Sequence, residues 1–432
     1  MQDSRALLPS SFVAGSSQRG FDTARLLSAS EALGTFFARV TLPIPRVEEV
    51  ALTAALGRVL ARDAVAREDI PTHPRSTMDG YAMASAAGIA PRRLVAEVLM
   101  GQAASRAIEA SETIRVPTGG AVPAGADVVV PQEDCDVASG GEIVPREMPV
   151  AGESIAQRGG DIRSGEAVLR AGRRLGAPEL GVLATLGIVP VPVFARPRVA
   201  IVSTGDELVD PGEGLREGRV RDSNRYAIGA ALEALGAEAV HLVRVPDRYD
   251  AVRSAFEAAL ETYDAIVSSG GSSVGERDLV PLVVAELGAP GPIVHGLRVK
   301  PGKPTLLAAV GKKPVIGLPG NPTSSLMILE AVVSPIVRAL TGESARRTPR
   351  VSAIAAEPFL GRRDWTWYVP VLLFERAGAL YAEPLRMRSS QTSLLARATG
   401  YVTVDEATPG YAAGDRLEVT LFSCGGAPIE CR

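Results

Sequence analysis

The sequence predicts a multidomain protein built around a doubly wound α/β domain, with a β-rich domain before it and a small β-barrel or sandwich after it. The first observation is a set of short, β-branched apolar runs that enter glycine-rich loops, at 199–203, 264–268 and 314–317. The second is the set of helical periods around these runs, at 224–235, 249–263 and 278–287. Unbroken apolar strands that alternate with helices are typical of a parallel sheet covered on both faces.

Composition bounds the classes of function. A length of 432 residues corresponds to about three domains. Because 46% of residues are hydrophobic and only 4% aromatic, the core must be built mainly from aliphatic side chains. A formal net charge of −3 gives no general attraction to nucleic acid or anionic membranes. Three cysteines without CxxC spacing, no apolar run of about 18 residues and no secretory leader predict a cytoplasmic protein.

The chain before the α/β domain divides at about residue 71. Residues 1–26 are rich in Ser, Gly and Arg and are expected to be a loose extension. Ser28 and Glu31 have capping-box spacing and predict a helix to about Val40, and a second helix is predicted over 47–60. From 71 to 165 frequent Gly and Pro residues and short β-branched runs predict a β-rich domain.

The C-terminal part also predicts strands. After a basic linker that contains Arg346, Arg347 and Arg350, four strand-like runs are separated by turns. They lie at 365–374, 380–384, 400–404 and 416–421. This pattern indicates the barrel or sandwich.

The glycine-rich loops of the α/β domain are candidate anion sites. Glycine allows backbone N–H groups to converge on an oxyanion, and the following helix adds a positive N-terminus. The segment from Ser268 to Gly275 fits this best; the alternative is that Gly270 and Gly271 only form a tight turn. Because several such loops share one sheet edge, the anion-site reading is favoured.

Two lysines suggest a multiply charged oxyanion at the same edge. Lys300 and Lys303 flank a proline-stiffened loop, although two solvated surface lysines are the alternative. The segment is no nucleotide P-loop, because Pro304 stands where Ser or Thr is required.

Acidic residues near the strand ends suggest Mg²⁺. Glu207, Asp247 and Asp278 come from separate loops, and Mg²⁺ commonly takes one or two carboxylates beside phosphate oxygens. Helix capping is the alternative for Asp278 and in part for Asp247. The histidines form no credible Ser-His-Asp arrangement, so catalysis would rest on metal, electrostatics and positioning. They are His73, His241 and His295.

Six motifs occur here in the order found in the molybdopterin molybdenumtransferase (MoeA) family, which includes the C-terminal domain of gephyrin. They are Ser76-Thr-Met-Asp-Gly-Tyr-Ala82, Pro117-Thr-Gly-Gly120, Ser203-Thr-Gly-Asp-Glu-Leu208, Ser268-Ser-Gly-Gly-Ser-Ser-Val-Gly-Glu276, Lys300-Pro-Gly-Lys-Pro304 and Leu318-Pro-Gly-Asn-Pro322. The chain resembles that family over roughly residues 28–425.

The resemblance implies a full domain plan. It consists of an elongated helical domain in two segments, an inserted β-rich domain, an α/β molybdopterin-binding domain and a C-terminal β-barrel, after the loose extension 1–27. The bounds are 28–66 with 166–195, then 67–165, 196–345 and 346–432. The resemblance also implies a homodimer in which the inserted domain of one subunit faces the α/β domain of the other.

The implied reaction inserts molybdate into adenylylated molybdopterin with Mg²⁺ and releases AMP. The resemblance places Ser269 to Gly275 at the pterin-nucleotide and Lys300, Lys303 and Ser324 at molybdate. Catalytic roles fall to Asp79, Thr118, Asp161, Glu207, Asp247 and Asp278, of which the last three surround the metal and the first three come from the partner subunit. Cofactor contacts fall to Thr204, Gly205, Asp206, Ser269, Gly270, Gly271, Ser272, Gly275, Lys300, Gly302, Lys303, Pro319, Asn321, Pro322 and Ser324.

One departure from the family pattern keeps other functions open. His73 and Pro74 stand where the family commonly has an aromatic residue and an acid. Either Asp79 or Asp161 compensates, or the protein is a non-catalytic scaffold that binds molybdopterin. Adenylyl transfer to molybdopterin is a third alternative. A molybdopterin adenylyltransferase and molybdoenzymes are the expected partners, and molybdate and tungstate are not distinguished.

Overall fold

A computed structural model describes residues 26–241, 244–270, 279–344, 348–386, 391–423 and 425–431. The chain forms two compact units. One comprises the described parts of Met1–Glu48, Gly57–Ala61 and Pro192–Arg432, and the other comprises Glu49–Leu56 and Arg62–Val191. The finer division into four domains stays a prediction. Of the extension predicted for residues 1–27, residues 1–25 lie outside the described residues.

The larger unit contains a six-stranded mixed sheet. Its strands in spatial order are Glu238–His241, Arg198–Ser203, Ala265–Ser269, Lys313–Leu318, Leu306–Val310 and Pro290–His295. The first four strands are parallel. Leu306–Val310 is antiparallel to both of its neighbours, so the predicted all-parallel sheet is wrong at this strand. The reason is the two-residue turn at Gly311 and Lys312, because so short a connection joins only antiparallel strands.

Helices cover both faces of this sheet, which confirms the doubly wound arrangement. Val199 and Ile201 pack into the core of one face, and Ala200 and Val202 pack into the core of the other. This alternation follows from the two-residue period of a strand. The unit's helices are Ala29–Arg39, Asn224–Ala234, Tyr249–Thr262, Leu279–Leu287, Pro322–Ile328 and Ser334–Leu340, with a π-helical segment Leu329–Val333 between the last two.

The continuous helix Pro322–Leu340 is the one helix in the described part of the chain with the length and composition of a membrane span. Of its most apolar stretch, 72% is buried within the protein. It therefore has the burial of a core helix.

A closed barrel of five strands completes the larger unit. The strands around it are Thr366–Arg376, Ala379–Pro384, Arg350–Ala355, Arg416–Leu421 and Gly400–Val404. Trp367 pairs with Val404 and closes the ring, so of the two predicted forms the barrel is correct. The remaining strands of the unit are short: Leu208–Val209, Val220–Arg221, Val299–Lys300, Phe359–Leu360, Gly410–Tyr411 and Glu430–Cys431.

The smaller unit is rich in strands. Its main sheet has the order Arg93–Glu97, Glu112–Val116, Gly80–Met83 and Val128–Pro131. Short pairs add Ala64–Val65, Arg75–Ser76, Cys135–Val137, Ile143–Pro145, Ile155–Ala156 and Ala167–Leu169, and the unit has one α-helix, Ala177–Thr185, within the described residues. Strands Val47–Val50 and Val191–Phe194 lie where the chain passes between the units.

Two predictions for the first 60 residues have opposite outcomes. The capping box is confirmed, because the Ser28 hydroxyl accepts from the N–H of Glu31 at 3.2 Å and the Glu31 carboxylate accepts from the N–H of Ser28 at 2.8 Å. The helix predicted over 47–60 is wrong: the segment holds strand Val47–Val50 and a 3₁₀ turn at Leu52–Ala54. β-Branched valines favour the extended backbone, and Gly57 has a φ of +73°, outside the helical range.

Candidate active site

Three neighbouring parallel strands of the mixed sheet end in register, so that their carboxyl ends form one edge of the sheet. Ser203 is in register with Ser269, and Ser269 is in register with Leu318. The loops that follow these strands therefore start side by side. In open α/β sheets this edge is where ligands bind.

The first two of these loops are in backbone contact at Gly270. The N–H of Thr204 donates to the carbonyl oxygen of Ser269 at 3.0 Å. Gly270 has a φ of +92°, and a Cβ atom there would lie 2.4 Å from the carbonyl oxygen of Thr204. A Cβ on Gly320 would lie 3.8 Å from the Cα of Gly270, which brings the third loop into contact. Only glycine fits at position 270.

Asn224 connects the same loops, and sequence reasoning did not identify it. The residue is 8% exposed, and its side-chain Nδ2 donates to the hydroxyl of Ser269 at 2.7 Å and to the carbonyl oxygen of Gly320 at 2.8 Å. Asn224 is the first residue of its helix, which the sequence predicted, but no motif signal marks its side chain. The position at a helix start beside the strand ends was the available signal.

Several buried polar atoms at this edge have no hydrogen-bond partner within the described part of the chain. They are Ser203 Oγ, Thr204 Oγ1, Asn224 Oδ1 and Ser325 Oγ. A buried polar atom without a partner costs free energy, so such atoms are rare unless a ligand or water satisfies them. Three hydroxyls and an amide oxygen are suited to a polar ligand.

The acidic residues lie on adjoining loops. Thr204 forms an isolated parallel bridge with Val245, and the N–H of Asp247 donates to Oδ1 of Asp206 at 3.4 Å. The Glu207 carboxylate lies over Gly205, where a Cβ atom would be 2.7 Å from Oε2. Asp206, Glu207 and Asp247 are all exposed. Among the described residues no three His, Cys, Asp or Glu side chains form a group that could hold a metal ion alone.

The loop that carries Lys300 and Lys303, residues 300–304 (the lysine loop), is fixed by backbone contacts. The carbonyl oxygen of Lys303 accepts from the N–H of Leu297 at 2.8 Å. Gly302 has a φ of +102°, and a Cβ atom there would lie 2.0 Å from Cγ1 of Ile328. Lys300 is exposed and Lys303 is half-buried. Close packing at Gly302 thus fixes the backbone between the two lysines.

The loop after Leu318 enters the long core helix. Pro319 is buried, and the carbonyl oxygen of Asn321 accepts from the N–H of Ser325 at 2.9 Å. Pro322 occupies the first turn, where its missing N–H costs nothing, and Ser324 is 6% exposed. The helix start therefore directs its backbone N–H groups to the same edge.

In the smaller unit the structure brings Asp79 and Thr118 together. Oδ1 of Asp79 accepts from the N–H of Thr118 at 2.6 Å and from its hydroxyl at 2.9 Å. Asp161 lies in a different loop, where its N–H donates to the carbonyl oxygen of Ile70 at 3.1 Å. The carbonyl oxygen of Pro74 accepts from the N–H of Val122 at 3.0 Å, so the backbone of Pro74 helps to hold two loops of this unit together.

The stability contributed by Asp79 is expected to depend on pH. The backbone N–H of Thr118, followed by its hydroxyl, lowers the pKa of the Asp79 carboxyl below its ordinary value. The unfolded chain therefore binds more protons in this range, and stability is lost as pH falls through the folded-state pKa. The free energy of unfolding of the wild type minus that of Asp79→Asn should be constant above about pH 5 and decrease in more acidic solution. A difference independent of pH would contradict this.

Four of the predicted site residues lie outside the described residues. They are Gly271, Ser272, Gly275 and Asp278. Their proposed roles in binding the pterin-nucleotide and the metal stay predictions.

Comparison with known proteins identifies the family. Three family models match this chain. The model of the MoeA N-terminal region (domain I and II) matches residues 27–187, that of a probable molybdopterin binding domain matches 200–339, and that of the MoeA C-terminal region (domain IV) matches 352–422. Molybdopterin molybdenumtransferase 2 of Mycobacterium tuberculosis is 31% identical over 86% of this chain and 94% of its own length. The chain belongs to the molybdopterin molybdenumtransferase family.

Other relatives agree over nearly the whole chain. The molybdopterin molybdenumtransferase of Haemophilus influenzae is 29% identical and covers 88% of this chain and 96% of its own length. The crystal structure of the MoeA protein of Pyrococcus horikoshii OT3 has a TM-score of 0.80 and 26% identity, over 92% of this chain and 100% of that one. The family is therefore the one that the six motifs implied, and the mixed α/β fold with a closed barrel agrees with it.

Proposed function

We propose that this protein is the transferase that inserts molybdate into adenylylated molybdopterin and releases AMP, within molybdenum cofactor biosynthesis. The observation that carries this proposal is the Asn224 amide, which joins the carbonyl oxygen of Gly320 to the hydroxyl of Ser269. The loop assigned to the pterin-nucleotide and the loop assigned to molybdate are thereby parts of one site. A reaction between the two substrates requires that proximity.

The residues of the site supply polar contacts and positive charge. The hydroxyls of Ser203, Thr204 and Ser325, which have no hydrogen-bond partner among the described residues, can donate to phosphate or pterin oxygens. Lys300 and Lys303 can compensate the charge of an oxyanion, since each ammonium group presents three donors. Fixed donors of this kind stabilise charge without reorganising during the reaction.

The loops that carry Asp206, Glu207 and Asp247 suit an Mg²⁺ ion bound jointly by the protein and the substrate. Mg²⁺ usually takes one or two carboxylates together with substrate phosphates and water. Asp206, Glu207 and Asp247 are exposed on adjoining loops, which suits that donor set even though the described residues form no complete metal cage. When bound, Mg²⁺ would neutralise part of the pyrophosphate charge.

A homodimer would add the residues of the smaller unit. We propose that Asp79, Thr118 and Asp161 of one subunit contribute to the active site of its partner. We also propose that the protein acts in the cytoplasm. The upstream adenylyltransferase and downstream molybdoenzymes are the proposed partners. Nucleic acid and membranes are not, because the formal net charge is −3 and the one apolar helix among the described residues is mostly buried.

The proposal is tested with purified protein, adenylylated molybdopterin, Mg²⁺ and molybdate. AMP release that saturates with molybdate is expected. Tight binding of the nucleotide without AMP release would contradict the transferase and support the scaffold function suggested by Pro74. Consumption of ATP without molybdate would indicate adenylyl transfer instead.

A further inference from the structure

Lys300 is held between the α/β domain and the barrel. The strand Val299–Lys300 pairs in parallel with the start of the barrel strand, with Lys300 opposite Trp367. The N–H of Thr366 also donates to the carbonyl oxygen of Arg298 at 3.0 Å. The lysine loop therefore begins on the barrel and, at Lys303, returns to the α/β domain.

The ammonium group of Lys300 lies over an indole ring. Its Nζ is 3.7 Å from the centroid of the Trp367 ring, within the range of a cation–π interaction. Trp367 packs against the barrel core, and this restricts the orientation of its ring. In the part of the chain that the structure describes, no carboxylate forms an ion pair with Lys300.

The chemistry of the partner matters for binding an anion. A carboxylate beside Lys300 would neutralise the ammonium group, and an incoming oxyanion would have to compete with it. An aromatic ring restricts the position of the ammonium group but leaves its net charge in place. The hydrogen-bond donors of Lys300 that point away from the ring stay available to a ligand.

The buried indole N–H indicates that this position requires the aromatic face of tryptophan. Nε1 of Trp367 is buried and has no partner within the described residues. Phenylalanine would fill much of the same space without burying an unpaired donor. Tryptophan has the strongest cation–π attraction of the aromatic residues, and this offsets that cost.

We infer that Trp367 is a positioning residue for the oxyanion: it holds the Lys300 ammonium group in place at the mouth of the site. This inference rests on the proposed function for the assignment of Lys300 to molybdate. The barrel thereby takes part in the reaction through one aromatic side chain.

The inference is tested with Trp367→Leu and Trp367→Phe in steady-state assays of AMP release. Trp367→Leu should raise the KM for molybdate about two- to fivefold with kcat nearly unchanged. Trp367→Phe should recover part of the loss, because it retains a weaker ring face. Trp365→Leu is the matched control, since the Trp365 ring faces Arg362, whose Cζ is 5.0 Å from the ring centroid, and Lys300 lies over Trp367 instead. Its KM should equal that of the wild type.

A double-mutant cycle separates positioning from general packing. In a Lys300→Met background, Trp367→Leu should cause no further change in KM; additive effects, or no effect of Trp367→Leu alone, would overturn the inference. The dissociation constant for molybdate from equilibrium dialysis gives the same comparison without catalysis. If Lys300→Met alone leaves molybdate binding unchanged, the assignment of Lys300 in the proposed function fails. If only the Trp367 variants have no effect, the proposed function stands and the inference fails.

Discussion

Gly270→Ala is expected to reduce AMP release by roughly 100-fold or more, because it separates two loops of the site. A Cβ atom at this position would lie 2.4 Å from the carbonyl oxygen of Thr204 and 3.0 Å from its Oγ1. The first of these atoms belongs to the backbone, so no side-chain rotation relieves the clash. The φ of +92° adds strain for any residue with a Cβ. The hydrogen bonds of Asn224 to the adjoining loops would be displaced with it.

The matched control is Gly311→Ala in the turn at the opposite edge of the same sheet. Gly311 has a φ of +60°, and a Cβ atom there meets nothing within 4 Å. This substitution should cost about 1–2 kcal/mol of the free energy of unfolding and leave AMP release unchanged. Initial rates and urea unfolding of both variants provide the measurement. Wild-type rates in Gly270→Ala would show that the contact with Thr204 does not shape the site.

The parts of the fold that follow from local pattern were predictable from the sequence. The strand predicted at 199–203 and the helix predicted at 224–235 correspond to Arg198–Ser203 and Asn224–Ala234. Their apolar periods are strong because one element is buried on both faces and the other on one face. The strand-end loops could be located for the same reason, since a parallel strand fixes which of its ends carries the loop.

The parts that depend on distant partners were not predictable. Nothing local shows that Val299–Lys300 adds to the barrel. The contacts of Asn224 with Ser269 and of Lys300 with Trp367 join residues far apart in the chain. Such side-chain pairs leave no periodic signal, because each depends on packing between whole elements.

Lys303→Ala is expected to weaken the dependence of AMP release on molybdate while the fold stays intact. An ammonium group on a half-buried, proline-stiffened loop can form charge-assisted hydrogen bonds to a dianion, and losing one should raise the KM for molybdate roughly 10- to 100-fold. The backbone of Lys303 holds the loop through its carbonyl oxygen, which alanine retains. The free energy of unfolding should therefore change little.

Lys312→Ala is the matched control for this charge. Lys312 is exposed in the turn at the opposite edge of the sheet, so its loss changes the net charge equally without touching the site. The KM values for molybdate and tungstate should both rise in Lys303→Ala and stay at wild-type values in Lys312→Ala. Both oxyanions are tetrahedral dianions, and an ammonium group acts on them mainly through charge. Unchanged molybdate saturation in Lys303→Ala would remove this residue from the oxyanion site.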